Sequence, residues 1–137
     1  MDEMWTFIGS KAHPAWLWMA LSRRNVQVLA FHVGGRALGD AQHLWRQVPA
    51  PWQNLLVFTD LYPVYEQLFA ARAHKHCATR KGEGQTSELE GVNNALRQRV
   101  SYLVRKSCAF ARSHEWLCAR LLWTLFHWNQ KQDKRYA

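Results

Sequence analysis

Apolar positions in the first third of the chain recur at short period. Residues 4–9 (Met-Trp-Thr-Phe-Ile-Gly), 15–22 (Ala-Trp-Leu-Trp-Met-Ala-Leu-Ser) and 26–33 (Val-Gln-Val-Leu-Ala-Phe-His-Val) are rich in aromatic and β-branched side chains. Such residues fit a pleated, half-buried surface, so three strands are predicted. Trp16 and Trp18 stand two apart and share a face. The links at 10–14 and 23–25 are short, which implies an antiparallel meander, closed by Gly34 and Gly35. The period then lengthens. Leu38, Ala41, Leu44, Trp45 and Val48 follow helical spacing, and Pro49 and Pro51 stop that helix.

Leu55, Leu56, Val57 and Phe58 form a continuous apolar run bounded by polar residues. That is the pattern of a strand buried on both faces of a helix-covered sheet. It ends on Thr59-Asp60, and Pro63 suits the first turn of a helix over 63–72, with Val64, Leu68 and Ala71 on one side. Residues 74–79 are a weak fifth strand, and 81–85 read as a loop. A long helix is predicted over 87–110, striped by Leu89, Val92, Leu96, Val100 and Leu103, with Ser87 and Glu90 forming a capping box. Ser113 opens a last helix to 129, apolar nearly all round and therefore expected to be buried. Three antiparallel strands, helix, buried strand, helix, short strand and two helices is the order of the ribonuclease-H-like α/β fold. In it a mixed sheet is flanked by helices, and the fourth strand lies parallel beside the first.

Composition narrows the class. At 137 residues with 48% apolar content and eight tryptophans, the chain fits one domain with a real core. The tryptophans are expected mostly in that core. The net charge of +8 is uneven. Residues 1–70 carry five basic and five acidic side chains, whereas 71–137 carry thirteen basic against five acidic. A basic half suggests a polyanion partner, nucleic acid or an anionic membrane surface; a merely solvated basic face is the alternative. Three widely spaced cysteines, Cys77, Cys108 and Cys118, do not make a disulfide framework and suit a reducing compartment. No signal-peptide pattern opens the chain, and the apolar stretch 116–128 is too short for a bilayer span of ~20 residues. A cytoplasmic protein is expected.

Two carboxylates invite chemistry. Asp60, at the C-terminal end of a predicted parallel strand, stands where open α/β sheets place their sites, although an aspartate there also suits a helix N-cap. On the long helix Glu90, Asn93 or Asn94, Arg97 and Ser101 share one polar stripe beside the apolar one. Glu88 points roughly 200° away. Glu90 also serves as a favourable first-turn acid or as half of the capping box. If strands one and four are neighbours, Asp2 joins Asp60. Carboxylates on strand one, strand four and a late helix together suit hard divalent cations. Two such ions roughly 3.5–4 Å apart clamp the attacking and leaving oxygens of a phosphoryl transfer.

These residues resemble the transposases of small bacterial insertion sequences of the IS-one family, a branch of the DDE recombinases. The matching segments are Met1-Asp2-Glu3-Met4-Trp5 with Gly9 and Lys11; Thr59-Asp60 with Pro63 and Tyr65; and Thr86, Glu90, Asn93 and Leu96-Arg97-Gln98, continuing into Arg105-Lys106-Ser107 and Phe110. The resemblance covers essentially the whole chain. It implies Asp2, Asp60 and Glu90 as the catalytic and metal-binding triad, holding two Mg²⁺ or Mn²⁺ ions. The implied reaction is hydrolysis at element ends followed by attack of the freed 3′-hydroxyl on target DNA. Asn93 and Arg97 would support the triad or contact phosphate. Arg97, Arg99, Arg105, Lys106 and Arg112 alternate with apolar positions, consistent with contact to the DNA backbone. The implied partners are terminal inverted repeats, target DNA and further copies of the chain assembled on DNA. The implied location is the bacterial cytoplasm, at the nucleoid when DNA-bound.

Two departures from the family pattern stand out. The step from Asp60 to Glu90 is long, which leaves Glu88 and Glu83 as rivals for the third acid. Asp2 stands at the start of the chain, where the fold normally has strand before it, and the family's zinc-finger and helix-turn-helix region is absent. The family fuses two overlapping reading frames, so the chain reads as the downstream frame, and whether it is active without the upstream region stays open. The rival readings are a nuclease or resolvase on the same fold and an inactive DNA-binding regulator of transposition. His74-Lys75-His76-Cys77 has metal-ligand types but no second cluster to complete a zinc site. His127, beside Trp128 and Asn129, is expected to be packed and hydrogen-bonded.

Overall fold

A computed structural model describes residues 1–80, 87–104 and 109–136. The meander is present and longer than its apolar pattern suggested: β1 (Asp2–Ile8), β2 (Ser10–Leu21) and β3 (Val28–Gly34) pair antiparallel in the order β1-β2-β3. Pro14 lies within β2 opposite Phe7, whereas β3 reaches only as far as Trp16. The missing Pro14 N–H therefore costs no ladder bond on the β3 side. Gly9, at φ +74°, makes the β1–β2 corner and donates its N–H to Ala111 O at 2.8 Å.

The strand buried on both faces is β2. Leu17, Trp18 and Met19 are each no more than 1% exposed, and their alternation sends them to different cores. Leu17 and Met19 pack with Val92, Leu96, Leu117, Leu121 and Leu125. Trp18 and Ala20 pack with Ala41, Leu44, Tyr65 and Phe69. Helices thus cover both faces of the meander. The second cover comprises α1 (Leu38–Gln47), α2 (Ala50–Gln53) and α3 (Pro63–Leu68); the first comprises α4 (Ser87–Arg99) and α5 (His114–Tyr136). Pro49 and Pro51 end α1 as predicted, and Pro51 then sits in the first turn of α2, a position that needs no N–H.

Residues 54–58 depart from expectation. Only Val57–Thr59 form β4, and Leu55 and Leu56 are each 53% exposed. β4 runs parallel to β5 (His76–Ala78) as a separate two-stranded sheet. Among the described residues its link to β1 is a single hydrogen bond, from the Met1 ammonium to Phe58 O at 2.6 Å. The mixed α/β composition holds, but β4 is not laddered beside β1.

The helices differ in length from their patterns. The helix at 63 ends at Leu68 with Tyr65 and Phe69 as its buried pair, and a 3₁₀ segment, Ala70–Lys75, follows. α4 stops at Arg99, and Leu103 reaches the same core from a 3₁₀ turn, Ser101–Leu103. α5 continues to Tyr136 and is not buried all round: Trp116, Leu122, Trp123 and Phe126 are 55–68% exposed. Its C-terminal half docks by specific bonds instead. Asn129 both donates to Val28 O (2.8 Å) and accepts from Val28 N (2.9 Å), and Trp128 Nε1 donates to Val26 O at 2.8 Å. Of the eight tryptophans only Trp18 is fully buried, so the expectation of a tryptophan-rich core is corrected. The 81–85 loop, Thr86 and the stretch 105–108 lie outside the described residues, and among those described no helix is long and apolar enough to cross a membrane.

Candidate metal centre

A cleft of about 380 Å³ opens where the start of β1, the end of β4 and one face of α4 converge. Asp2, Glu3, Asp60, Glu90, Asn93, Asn94, Arg97 and Arg36 are among its lining residues. Each element presents its side chain for a local reason. β4 ends at Thr59, which is fully buried and whose carbonyl accepts from Thr79 N (2.9 Å) and Thr79 Oγ1 (3.2 Å). Asp60 follows and accepts Tyr62 N–H on Oδ1 at 3.0 Å, an aspartate turn that leads into α3. Asp60 therefore supports the helix start, two residues before the N-cap position, while its Oδ2 has no side-chain donor among the described residues.

α4 contributes the predicted stripe. Glu90, Asn93, Asn94 and Arg97 all face the cleft, while Leu89, Val92 and Leu96 are buried beneath them. Asn93 Nδ2 donates to Asp2 Oδ2 at 2.7 Å, tying the helix to β1 across 91 residues of sequence. Asn93 Oδ1 is buried and unpartnered among the described residues. Ser101 falls past the helix end. Glu88 points away, within 3.8 Å of Arg23 Nε, and Glu83 lies outside the described residues.

Asp2, Glu3 and Asp60 can each offer an oxygen so that the three lie within 4.8 Å of one another. Glu90 lines the same cleft from the α4 side, outside that group. Glu3 was missed by sequence reasoning, because strand alternation sends neighbours to opposite faces; the adjoining acidic pair Asp2-Glu3 was the available signal. Both of its oxygens are engaged. Oε1 accepts from Arg36 Nη2 (2.8 Å) and Nε (3.2 Å), and Oε2 accepts from the buried Tyr65 hydroxyl at 2.9 Å. Arg36 is itself held over the rings of Trp16 and Tyr62, each at 4.2 Å.

Burial pushes the Asp2 carboxyl above its usual range, and the nearby Asp60 charge adds to the rise. Burial also raises Glu3, against the opposing bond from Arg36. Desolvation and the surrounding carboxylates drive the Tyr65 phenol well above its ordinary value, which keeps it a hydrogen-bond donor. The cleft thus concentrates negative charge that its own side chains only partly neutralise. A hard cation fits this donor set: clustered carboxylate oxygens, one on Asp2 and one on Asp60 without side-chain donors.

The remaining predicted residues are dispersed. Arg99 lies on another face of α4, 5.2 Å from the Trp128 ring. Arg112 is exposed just before α5, and Arg105 and Lys106 lie outside the described residues. His76 Nε2 pairs with Thr59 Oγ1 at 2.8 Å and its ring sits 4.8 Å from that of Phe69, an anchoring role for the His-Lys-His-Cys run. His127, expected to be packed and hydrogen-bonded, is instead exposed and meets only the Trp123 and Phe126 rings among the described aromatic contacts, while its neighbours Trp128 and Asn129 make the docking bonds.

The family model described as IS1 transposase, of the DDE type, matches residues 1–131. The insertion element IS1 4 protein InsB of Escherichia coli K12 is 30% identical over 115 residues, which covers 84% of this chain and 65% of that protein. An insertion element IS1 protein InsB of Shigella flexneri is 31% identical over 115 residues, covering 84% of this chain and 83% of its own. The chain spans less than two thirds of the length of the Escherichia coli relative. No solved structure matches. A match across nearly the full chain, from the β1 aspartate through α4 and into α5, leaves one assignment: the chain belongs to the IS1 transposase family.

Proposed function

We propose that the chain carries the catalytic core of a DNA transposase, using divalent metal ions to cleave DNA at element ends and join the freed 3′-hydroxyl to target DNA. The observation that carries this reading is the Asp2–Asp60 pair, set against α4 by the Asn93 bond, with Glu90 lining the same cleft. Asp2, Asp60 and Glu90 are the ligands in this reading. Glu3 is the brace, since Arg36 and Tyr65 occupy both of its oxygens. Two bound Mg²⁺ or Mn²⁺ ions would supply Lewis-acid activation and charge neutralisation at the phosphate. The protein's own work is positional. Asn93 fixes one oxygen of Asp2, the Tyr62 turn fixes one of Asp60, and Arg97 lends positive charge where a DNA phosphate enters. The ribonuclease-H-like arrangement belongs to the same proposal, supported by the element order and by the Met1–Phe58 contact that brings β1 beside β4.

Within this proposal DNA is the partner, and the active assembly holds more than one copy. A divalent-dependent strand-transfer assay on DNA carrying element ends tests it. Asp60→Asn abolishes joining while DNA affinity survives; joining at the wild-type rate sinks the site assignment. Cutting without joining by the unaltered chain would favour a nuclease, and binding without either would favour a regulator.

A further inference from the structure

On the far side of α4 from the acid cleft lies a second, smaller pocket of about 220 Å³ between the end of α4 and the middle of α5. Arg99, Arg120, Trp123, Thr124, His127, Trp128 and Lys131 line it. Three permanent cations converge there, and no carboxylate is among its lining residues. Neither Arg120 nor Lys131 has an ion-pair partner among the described residues, and Arg99 Cζ sits 5.2 Å from the Trp128 ring centroid. Trp123 is 63% exposed and meets His127 edge-on at 4.5 Å between centroids. An indole so widely exposed offers a stacking face.

The charges on α5 are segregated by helical geometry. At ~100° per residue, Arg120, His127, Lys131 and Lys134 follow one margin of the exposed stripe. Glu115 and Asp133 follow the other, where Asp133 already contacts Gln27. Two copies packed antiparallel through this stripe would oppose basic margin to basic margin, which disfavours that pairing. A polyanion meets no such conflict. Bases carry an apolar π-face that stacks on an exposed ring, and backbone phosphates satisfy the flanking arginines and lysine.

We propose that this pocket binds single-stranded DNA, with a base stacked on Trp123 and phosphates held by Arg99, Arg120 and Lys131. The choice of ligand rests on the transposase reading, but the site is distinct from the acid cleft. Arg97 lines the cleft and Arg99 the pocket, two positions apart on the same helix. At ~100° per residue these two arginines point to opposite sides of α4, so the pocket is reached without entering the cleft.

The test is fluorescence anisotropy of a labelled oligothymidine with the 137-residue chain in EDTA, so that binding is read without metal or chemistry. Trp123→Ala weakens single-strand binding by roughly tenfold or more, the scale of base–aromatic stacking, while Trp123→Phe retains most of it. Arg120→Gln with Lys131→Gln flattens the salt dependence by about the slope expected for two phosphate contacts. An oligothymidine affinity unchanged in Trp123→Ala, with the melting temperature also unchanged, overturns the proposal. The same unchanged affinity with a loss of mass in sedimentation would overturn it in favour of a self-association surface. The joining assay reads Asp2, Asp60 and Glu90 while this one reads Trp123, Arg120 and Lys131, so failure here leaves the joining assay as an independent test of the acid cleft.

Discussion

Two acidic centres among the described residues are built on opposite principles. Asp40, in the first turn of α1, is saturated: Oδ1 accepts from Gly35 N (2.9 Å) and lies 3.1 Å from His32 Nε2, and Oδ2 accepts from Ala37 N at 3.2 Å. Burial pushes this carboxyl upward, but the bonds from His32, Ala37 and Gly35 outweigh it and leave the group below its usual range. The cleft acids go the other way. Asp2 is raised by burial and by Asp60, and each of that pair keeps an oxygen without a side-chain donor. Asp40 completes a turn that the strand end needs. A methyl at Gly34 would collide with its Oδ1 and with His32 Nε2. Asp2 and Asp60 instead crowd like charges together, with free oxygens that the proposed metal ions would occupy.

Metal should expose the largest difference between them. At Mg²⁺ a hundredfold above its dissociation constant, the unaltered chain gains about 2.7 kcal/mol of stability, read as a rise in melting temperature over an EDTA control. Asp60→Asn loses most of that gain, and Asp40→Ala keeps it. Equal gains in all three would mean that the ion binds elsewhere.

Without metal the two substitutions should differ in sign. Asp40→Ala strips acceptors from the start of α1 and costs ~1–2 kcal/mol in urea unfolding. Asp60→Asn removes a like charge beside a buried Asp2, so the metal-free chain gains on the order of 1 kcal/mol. A loss in Asp60→Asn as large as that in Asp40→Ala would show that the Tyr62 turn bond outweighs the repulsion, and that Asp60 is mainly structural.

This contrast was only half legible in the sequence. The polar stripe of α4 could be read because helical spacing alone decides which side chains share a face, and Glu90, Asn93 and Arg97 do share the cleft. Asp60 was legible because a strand end followed by Pro63 makes a turn there. Glu3 was not, since its role depends on Arg36 and Tyr65, which are 33 and 62 residues away in sequence. The apolar run at 55–58 misled because hydrophobicity does not record which neighbours are present. Leu55 and Leu56 have no strand over them and stay exposed, whereas β2 lies between β1 and β3 with helices on both faces. α5 misled for the complementary reason: its exposed stripe is as apolar as its buried one.

The smallest effect expected is a two-limbed dependence of stability on pH. Asp2 and Glu3 have folded-state values above their unfolded ones, so the native chain holds their protons more tightly. Their contribution is favourable at low pH and is lost as pH rises from the ordinary carboxylate range of ~4 through the raised values. Asp40 is depressed; its contribution is present above ~4 and is lost as pH falls through its folded value. The buried Met1 amine, lowered to about 6, opposes this trend until it has taken its proton, so in EDTA the melting temperature rises as the chain is acidified below about 6, then turns down at lower pH. Asp60→Asn flattens the upper limb by removing the charge that helps to raise Asp2, and Asp40→Asn flattens the lower one. Saturating Mg²⁺ inverts the upper limb alone, because protons then compete with the ion for the same oxygens. An upper limb that is unmoved by both Mg²⁺ and Asp60→Asn would assign it to other groups and remove the electrostatic distinction between the two centres.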